Sequence, residues 1–193
     1  MISLKQRFSS LFGALSEEAC QKSFAKAGDS LDDNAPCRPS EEGSRIALPI
    51  KTARRCLDAG AKFLTSPGLD IEVVELAVKH DVVVFPGALI PTDIMAAWKA
   101  GSDFVKVFPC ALLGGASYIR TLKISFPHMR LIASGGVTQG NAADFILAGA
   151  AGLGIGRDLI NPEAIQRREL DWIRELAGRF LQILQDARSK RVM

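Results

Sequence analysis

The sequence predicts an α/β fold of the (β/α) barrel type, and three observations lead to that prediction. Short apolar runs alternate with segments whose apolar residues recur at helical spacing. Of the 193 residues, 48% are hydrophobic but only 7% are aromatic, a balance that favours close packing of helices on strands. Gly60, Gly101 and Gly149 each end a predicted helix, where glycine suits the left-handed cap. Because one strand–helix unit repeats so regularly, a barrel is favoured over an open sheet.

Five parallel strands are predicted after Lys51, and single helices connect them. The strands are residues 62–66, 82–86, 104–109, 131–134 and 152–156. The helices between them are residues 71–80, 91–100, 116–126 and 141–148. Since a closed barrel of this type has eight strands, the pattern predicts an incomplete barrel with about five βα units. A final amphipathic helix, residues 162–190, is predicted to pack on the barrel exterior through one stripe: Trp172, Leu176, Phe180 and Leu184.

The first fifty residues do not follow this pattern. Residues 4–15 and 17–27 are typical of two short amphipathic helices. Residues 28–45 are polar and rich in Pro, Asp and Ser, so we expect a loop or a disordered segment. Only residues 46–50 resemble a strand, and Pro49 restricts it to a sheet edge or a strand end. We therefore divide the chain into an atypical segment, 1–50, and a barrel portion, 51–193.

Charge and cysteine content exclude several classes of protein. The net charge is +3 and the basic residues are dispersed, which argues against a nucleic-acid partner. No apolar run is long enough for a membrane span, and no signal-peptide pattern is present. The cysteines lack metal-ligand or CxxC spacing, so we expect no metal and four free thiols: Cys20, Cys37, Cys56 and Cys110. These features predict a cytoplasmic protein.

One predicted strand carries a lysine toward the barrel interior. Side chains alternate along a strand, so Phe104, Lys106 and Phe108 share one face while Val105 and Val107 share the other. If the valines meet the helices, the lysine points inward. Burial disfavours the charged ammonium and lowers its pKa, and a neutral amine can attack a ketone to form a Schiff base. The alternative is a structural lysine that reaches the barrel mouth or pairs with a distant carboxylate.

Two glycine-rich turns follow the last two predicted strands. Ser134, Gly135 and Gly136 come directly after one strand, and Gly156 and Arg157 come after the next. Bare backbone N–H groups at the carboxyl ends of late barrel strands suit an anion. Arg157 would add paired donors for a phosphate or a carboxylate. The alternative is that these are glycine turns without a ligand.

Five segments taken together resemble the bacterial KDPG/KHG aldolases. They are AGAKFLTSPGLD (59–70), FPGALIPTDI (85–94), AGSDFVKVFP (100–109), ASGGVT (133–138) and AGAAGLGIG (148–156). The resemblance runs from about residue 52 to the C-terminus. It implies a (β/α)8 barrel, usually a trimer, that cleaves a phosphorylated 2-oxo acid to pyruvate and glyceraldehyde 3-phosphate without a metal or another cofactor.

The resemblance also implies roles for individual residues. Lys106 corresponds to the Schiff-base lysine. The substrate-binding positions that it implies are Pro67 and Phe108 in the pyruvate pocket, and Ser134, Gly135, Gly136, Gly156 and Arg157 around the phosphate and carboxylate groups. Arg157 stands where the family often has a serine, a departure that would alter the preference for phosphate.

The resemblance does not extend to residues 1–50. Family members begin with two βα units and a third strand, and their second strand carries the general-base glutamate in a Glu-Val-Thr context. The same segment supplies an arginine for the substrate carboxylate, and the third strand usually reads Gly-Ala-Gly-Thr-Val-Leu. None of these motifs occurs in residues 1–50, and Glu41 and Glu42 cannot be equated with the base. We therefore expect a non-native N-terminus, produced by truncation, a frame change or a wrongly assigned start.

The sequence thus predicts a class I aldolase acting on 2-dehydro-3-deoxy-6-phosphogluconate or a related 2-oxo acid, and leaves two alternatives. One is a catalytically impaired family remnant that binds a phosphate ligand or is completed by a partner chain. The other is a different phosphate-binding barrel, such as an isomerase or a thiamin-phosphate-type synthase, which would not need an inward lysine. As partners we expect a small-molecule acid and further copies of the chain, with neither nucleic acid nor membrane.

Overall fold

Strands and helices alternate along the chain. The computed structural model describes residues 44–46, 50–167 and 169–192. Its strands are β1 (Ser44–Ile46), β2 (Phe63–Thr65), β3 (Val83–Phe85), β4 (Gly87–Ala88), β5 (Val105–Val107), β6 (Leu131–Ser134) and β7 (Gly152–Gly154). Its helices are α1 (Ile50–Asp58), α2 (Ile71–Lys79), α3 (Pro91–Lys99), α4 (Ala116–Ser125), α5 (Ala142–Leu147), α6 (Pro162–Gln166) and α7 (Leu170–Val192). A short 3₁₀ helix, Ala111–Leu113, follows β5.

All strand pairs are parallel, and strands that are neighbours in the sheet are neighbours in the chain. The strands β1, β2 and β3 form one sheet, and β4 to β7 form a second. Only Pro86 separates β3 from β4, and its carbonyl accepts the N–H of Lys106 at 2.9 Å. The segment from β3 to β4 therefore belongs to both sheets, and the strands form one arc with a seam at Pro86.

The predicted alternation of strands and helices after Lys51 is confirmed in its main elements. The five strands expected after Lys51 correspond to β2, the β3–β4 segment, β5, β6 and β7, and the expected helices correspond to α2, α3, α4 and α5. Gly60, Gly101 and Gly149 have φ angles of 81°, 93° and 109°, which confirms the left-handed helix caps. The prediction did not include the interruption at Pro86, which divides this segment into β3 and β4.

The prediction near the start of the barrel was wrong. The strand expected at residues 46–50 lies instead at Ser44–Ile46, partly inside the expected loop 28–45, and α1 begins at Ile50. Parallel pairing with β2 defines β1, and the residues of β1 carry no alternating pattern that would reveal it. The helices predicted at residues 4–15 and 17–27, and most of the expected loop, lie outside the described residues.

The two faces of the arc are buried to different extents. Leu64, Val105 and Leu131 point to the helices and are fully buried at 0% exposure. On the opposite face, Phe63 and Ile132 are only half-buried. Within the described residues β1 pairs only with β2 and β7 only with β6, so these strands do not close into a ring. The fold is a TIM-barrel-type α/β arc whose inner face is partly accessible.

The C-terminal segment forms two helices, α6 and α7, where one continuous helix was predicted. The longer helix, α7, packs against α5 and buries Ile173, Leu176 and Phe180. Trp172 was predicted to belong to the packed stripe, but it is 46% exposed and lies outside the buried face of α7. Positions four apart drift by about 40° around a helix, so a long series at that spacing cannot all face the core. No helix in the described ranges is both long and apolar enough to cross a membrane.

Candidate active site

Lys106 lies in the middle of β5 on the inner face of the arc. Its neighbours Val105 and Val107 are fully buried among residues of the surrounding helices, whereas Lys106 is half-buried. The predicted alternation along this strand is therefore confirmed. The lysine is held by a rigid element, and its side chain extends from the accessible face.

The Lys106 ammonium has a polar contact and an aromatic contact. Its Nζ donates a hydrogen bond to Thr65 Oγ1 at 3.2 Å and lies 5.3 Å from the centroid of the Phe108 ring. In the described part of the chain, no carboxylate pairs with this amine. Burial lowers the pKa of Lys106 below the ordinary lysine value of 10.5. The arrangement favours a larger neutral fraction of this amine than of an exposed lysine.

Phe108 is held against the turn that follows β6. The N–H of Cys110 donates to the carbonyl of Ser134 at 2.7 Å, and the N–H of Ala111 donates to the carbonyl of Gly135 at 3.0 Å. A Cβ atom on Gly135 would lie 2.9 Å from Pro109 Cα and 3.1 Å from Phe108 Cδ2. Glycine is therefore required at residue 135 for the close approach between the end of β5 and this turn.

The turn Ser134–Gly136 exposes backbone at the carboxyl end of β6. Gly135 and Gly136 have φ angles of 82° and 83°, and Asn141 Nδ2 fixes the turn by donating to the Gly136 carbonyl at 2.9 Å. A Cβ atom on Gly154 would lie 2.6 Å from Ser134 Oγ, so the serine hydroxyl faces β7. Among the described residues, the N–H groups of Gly136 and Gly156 donate no hydrogen bond. Such N–H groups can receive an anion.

Pro67 lies at the carboxyl end of β2, packed against the segment that follows Pro86. A Cβ atom on Gly87 would lie 2.1 Å from the Pro67 carbonyl oxygen. The Ser66 hydroxyl, which is buried, donates to the Gly68 carbonyl at 2.6 Å and closes the turn. The two Pro-Gly turns of the sequence therefore pack on each other, and Gly87 allows that approach.

Not every predicted site residue has a contact that joins it to the others. Contacts link Lys106 with Phe108, and Phe108 with Gly135. Gly156 and Arg157 are exposed after β7, and in the described structure Arg157 makes no hydrogen bond or ion pair. The roles assigned to these residues remain predictions.

Sequence reasoning missed Thr65, the polar partner of Lys106. A signal was present, because Thr65 is the only hydroxyl-bearing residue of β2 and shares a face with Phe63. The partnership spans 41 positions in the chain, and local patterns do not specify which inward side chains meet across a barrel. The register of β2 against β3, together with that of β4 against β5, brings this hydroxyl to the amine.

The fold and site define a class, a TIM-barrel-type protein with a half-buried lysine at its accessible inner face. Residues 44–176 match the family model described as KDPG and KHG aldolase, more than half of the chain. The chain belongs to the KDPG/KHG aldolase family, as its resemblance predicted.

Individual relatives agree with this membership. A probable 2-dehydro-3-deoxy-6-phosphogalactonate aldolase of Rhizobium meliloti (strain 1021) is 32% identical over 121 residues, which cover 62% of this chain and 57% of the relative. The 2-dehydro-3-deoxy-6-phosphogalactonate aldolase of Escherichia coli (strain K12) is 38% identical over 101 residues, 52% of this chain and 49% of the relative. The chain spans about half the length of these curated relatives.

A solved structure of a relative adds chemical information about that relative. It is the KDPG aldolase from Legionella pneumophila with pyruvate captured at low pH as a covalent carbinolamine intermediate. It is 26% identical to this chain and has a TM-score of 0.63, with coverage of 70% of this chain and 65% of that chain.

Proposed function

We propose that this chain is a class I aldolase in which Lys106 forms a Schiff base with a 2-oxo acid and releases pyruvate and an aldehyde. The observation that carries the proposal is the position of Lys106, a half-buried amine on the accessible inner face of the barrel strands. Its lowered pKa and its lack of a described carboxylate partner favour nucleophilic chemistry over a structural ion pair. The covalent carbinolamine in the Legionella relative supports the same chemistry for this family member.

The bond-forming step requires the unprotonated amine. Its lone pair attacks the ketone carbon, a C–N bond forms, and the carbonyl electron pair passes to the oxygen, which takes up a proton. Loss of water leaves a protonated imine. When the substrate's carbon–carbon bond breaks, its electron pair flows into this imine and gives an enamine, while the departing fragment becomes an aldehyde. Protonation of the enamine and hydrolysis of the imine release pyruvate and restore the amine.

The anionic end of the substrate is proposed to lie at the carboxyl ends of β6 and β7. The N–H groups of Gly136 and Gly156 are available there among the described residues, and the Ser134 hydroxyl faces β7. Arg157 is exposed nearby in sequence and would supply paired donors to a phosphate. Pro67 and Phe108 are proposed to line the end of the pocket that holds the pyruvate portion.

The proposed substrate is a 2-dehydro-3-deoxy-6-phospho sugar acid. The Rhizobium and Escherichia relatives are described as acting on the phosphogalactonate form, while the resemblance in sequence also includes the phosphogluconate form. The two acids differ only in the configuration of the carbon that becomes the aldehyde carbon, so they yield the same products. Both must therefore be assayed, with cleavage followed through pyruvate release.

Cleavage also requires a base for the hydroxyl proton of the departing fragment. The resemblance implies a glutamate carried by the second strand of family members, and Glu41 and Glu42 lie outside the described residues. Removal of a general base typically lowers a rate by about 10²–10⁴-fold. Schiff-base formation and full turnover are for this reason separate measurements.

The direct test is reductive trapping. The full chain is incubated with pyruvate and sodium borohydride, digested, and mapped by mass spectrometry. We expect one reduced pyruvyl adduct on Lys106, none on that site in Lys106→Ala, and an unchanged adduct in Lys99→Ala, since Lys99 is exposed on α3. An adduct distributed over surface lysines, or no adduct at all, would refute the proposed nucleophile. A coupled assay with both sugar acids then measures cleavage.

A further inference from the structure

Thr65 lies between the seam of the two sheets and the amine of Lys106. Its hydroxyl donates to the carbonyl of Phe85 at 3.1 Å, and its oxygen accepts from Lys106 Nζ at 3.2 Å. Phe85 is the last residue of β3, and Thr65 is its partner in the β2–β3 register. The side chain is therefore anchored to the backbone beside Pro86 before it reaches the lysine.

The direction of these two hydrogen bonds has a chemical consequence. A threonine hydroxyl carries one proton, and here that proton is committed to the Phe85 carbonyl. Toward Lys106 the oxygen can only accept. It therefore holds one N–H of the amine and leaves the nitrogen lone pair of the neutral form free, whereas a donor at the same place would occupy that lone pair.

We infer that Thr65 is a positioning residue, whose hydroxyl fixes Lys106 Nζ with its lone pair directed into the accessible face of the barrel. This inference rests on the proposed role of Lys106 as the nucleophile. Thr65 touches the lysine and not the reacting carbon, so its effect is on the aim and protonation of the amine. The ring of Phe108, whose centroid lies 5.3 Å from Nζ, restricts the movement of the amine on another side.

Two charged side chains beside these strands make contacts with groups other than Lys106. Asp103 precedes β5 and its Oδ2 accepts the N–H of Val84 at 3.2 Å. Arg130 precedes β6, and its guanidinium carbon lies 5.2 Å from the centroid of the Phe104 ring. Both residues lie at the amino ends of their strands, away from the carboxyl ends. Thr65 is thus the polar side chain that contacts Lys106 Nζ within the described residues.

The test compares Thr65→Val, which keeps the shape and removes the hydroxyl, with Thr65→Ser, which keeps the hydroxyl. Thr121→Val is the matched control, because Thr121 is an exposed threonine of α4 whose hydroxyl also donates to a carbonyl. In the intact 193-residue chain, the acetylation rate of Lys106 is measured against pH by peptide mass spectrometry. The rate of borohydride trapping with pyruvate is measured over the same pH range, and circular dichroism verifies folding.

Loss of the acceptor removes a contact that favours the ammonium form. We therefore expect Thr65→Val to move the acetylation midpoint of Lys106 to lower pH and to reduce the high-pH trapping rate on the order of tenfold. Thr65→Ser and Thr121→Val should keep both values of the unmodified protein. A merely structural role of Thr65 would lower the rate without moving the midpoint.

The outcomes separate this inference from the proposed function. If pyruvate traps on Lys106 but Thr65→Val leaves the midpoint and rate unchanged, the role of Thr65 is refuted and the nucleophile stands. If no adduct forms but the midpoint moves, the proposed function fails while the contact of Thr65 with the amine is supported. Should Thr65→Val not fold, the serine variant decides, because a shifted midpoint with the hydroxyl retained would overturn the inference.

Discussion

Replacement of Gly135 by alanine tests how the end of β5 is held against the turn after β6. Gly135 has a φ of 82°, and an added Cβ atom would lie 2.9 Å from Pro109 Cα and 3.1 Å from Phe108 Cδ2. Backbone and ring must therefore move to accept even a methyl group. Gly60 offers a matched control, because its φ is 81° and nothing lies within 4 Å of the corresponding Cβ position.

The two substitutions share one energetic cost and differ in the other. Placing a side chain in the left-handed region costs about 1–2 kcal/mol. Forcing an extra carbon into a packed site costs about 1–3 kcal/mol more. We therefore expect Gly60→Ala to lower the free energy of unfolding by about 1–2 kcal/mol. Gly135→Ala should lower it by about 2–5 kcal/mol, the sum of the two costs.

Equilibrium unfolding in urea, followed by circular dichroism, measures both free energies of unfolding. Trapping of pyruvate on Lys106 provides the functional measurement, and it should slow in Gly135→Ala because Phe108 beside the amine is displaced. Gly60→Ala should trap normally. Equal destabilisation by the two substitutions would refute the steric contact between residue 135 and the end of β5.

Three further predictions concern individual side chains. Lys106→Met should raise the free energy of unfolding at pH 7, and the gain should shrink as the pH rises toward 10.5. Burial places the folded-state pKa of Lys106 below its unfolded value, so the protein with the lysine regains stability between these two pKa values. Urea titrations at several pH values test this, and a pH-independent gain would contradict it. Asp70→Ala should lower the free energy of unfolding by about 1 kcal/mol. The reason is that the carboxylate caps α2 by accepting from Glu72 N at 3.0 Å and from Val73 N at 3.3 Å. The same titration measures the loss, and Asp70→Asn should retain most of the cap. Burial raises the pKa of Cys110 to about 11, so a thiol reagent at pH 8 should label it only on unfolding, and rapid labelling of the native protein would show that the thiol is accessible.

Features set by local pattern were predictable from the sequence. The inward face of β5 followed from simple alternation, because three large residues and two valines occupy opposite faces of one strand. The caps at Gly60 and Gly101 followed from the steric demand of a left-handed backbone. Each of these depends on a few consecutive residues and on covalent geometry.

Features set by distant contacts were not predictable. The strand β1 exists through its pairing with β2, and its own residues carry no strand pattern. Likewise, the contact of Thr65 with Lys106 depends on the register between β2 and β3 and on that between β4 and β5. The close contact of Gly135 with Pro109 was not predictable for the same reason. A glycine residue in the sequence is compatible both with an anion-binding turn and with a turn that packs on another chain segment.

The seam at Pro86 gives the candidate nucleophile a second property. Thr65 belongs to the sheet on one side of the seam and Lys106 to the sheet on the other, so their 3.2 Å hydrogen bond spans it. Pro86 itself is fully buried and joins the two sheets through its carbonyl. Flattening the arc would pull the hydroxyl from the amine, and tightening it would press them together. The length of the hydrogen bond between Thr65 and Lys106 therefore depends on the curvature of the arc at Pro86.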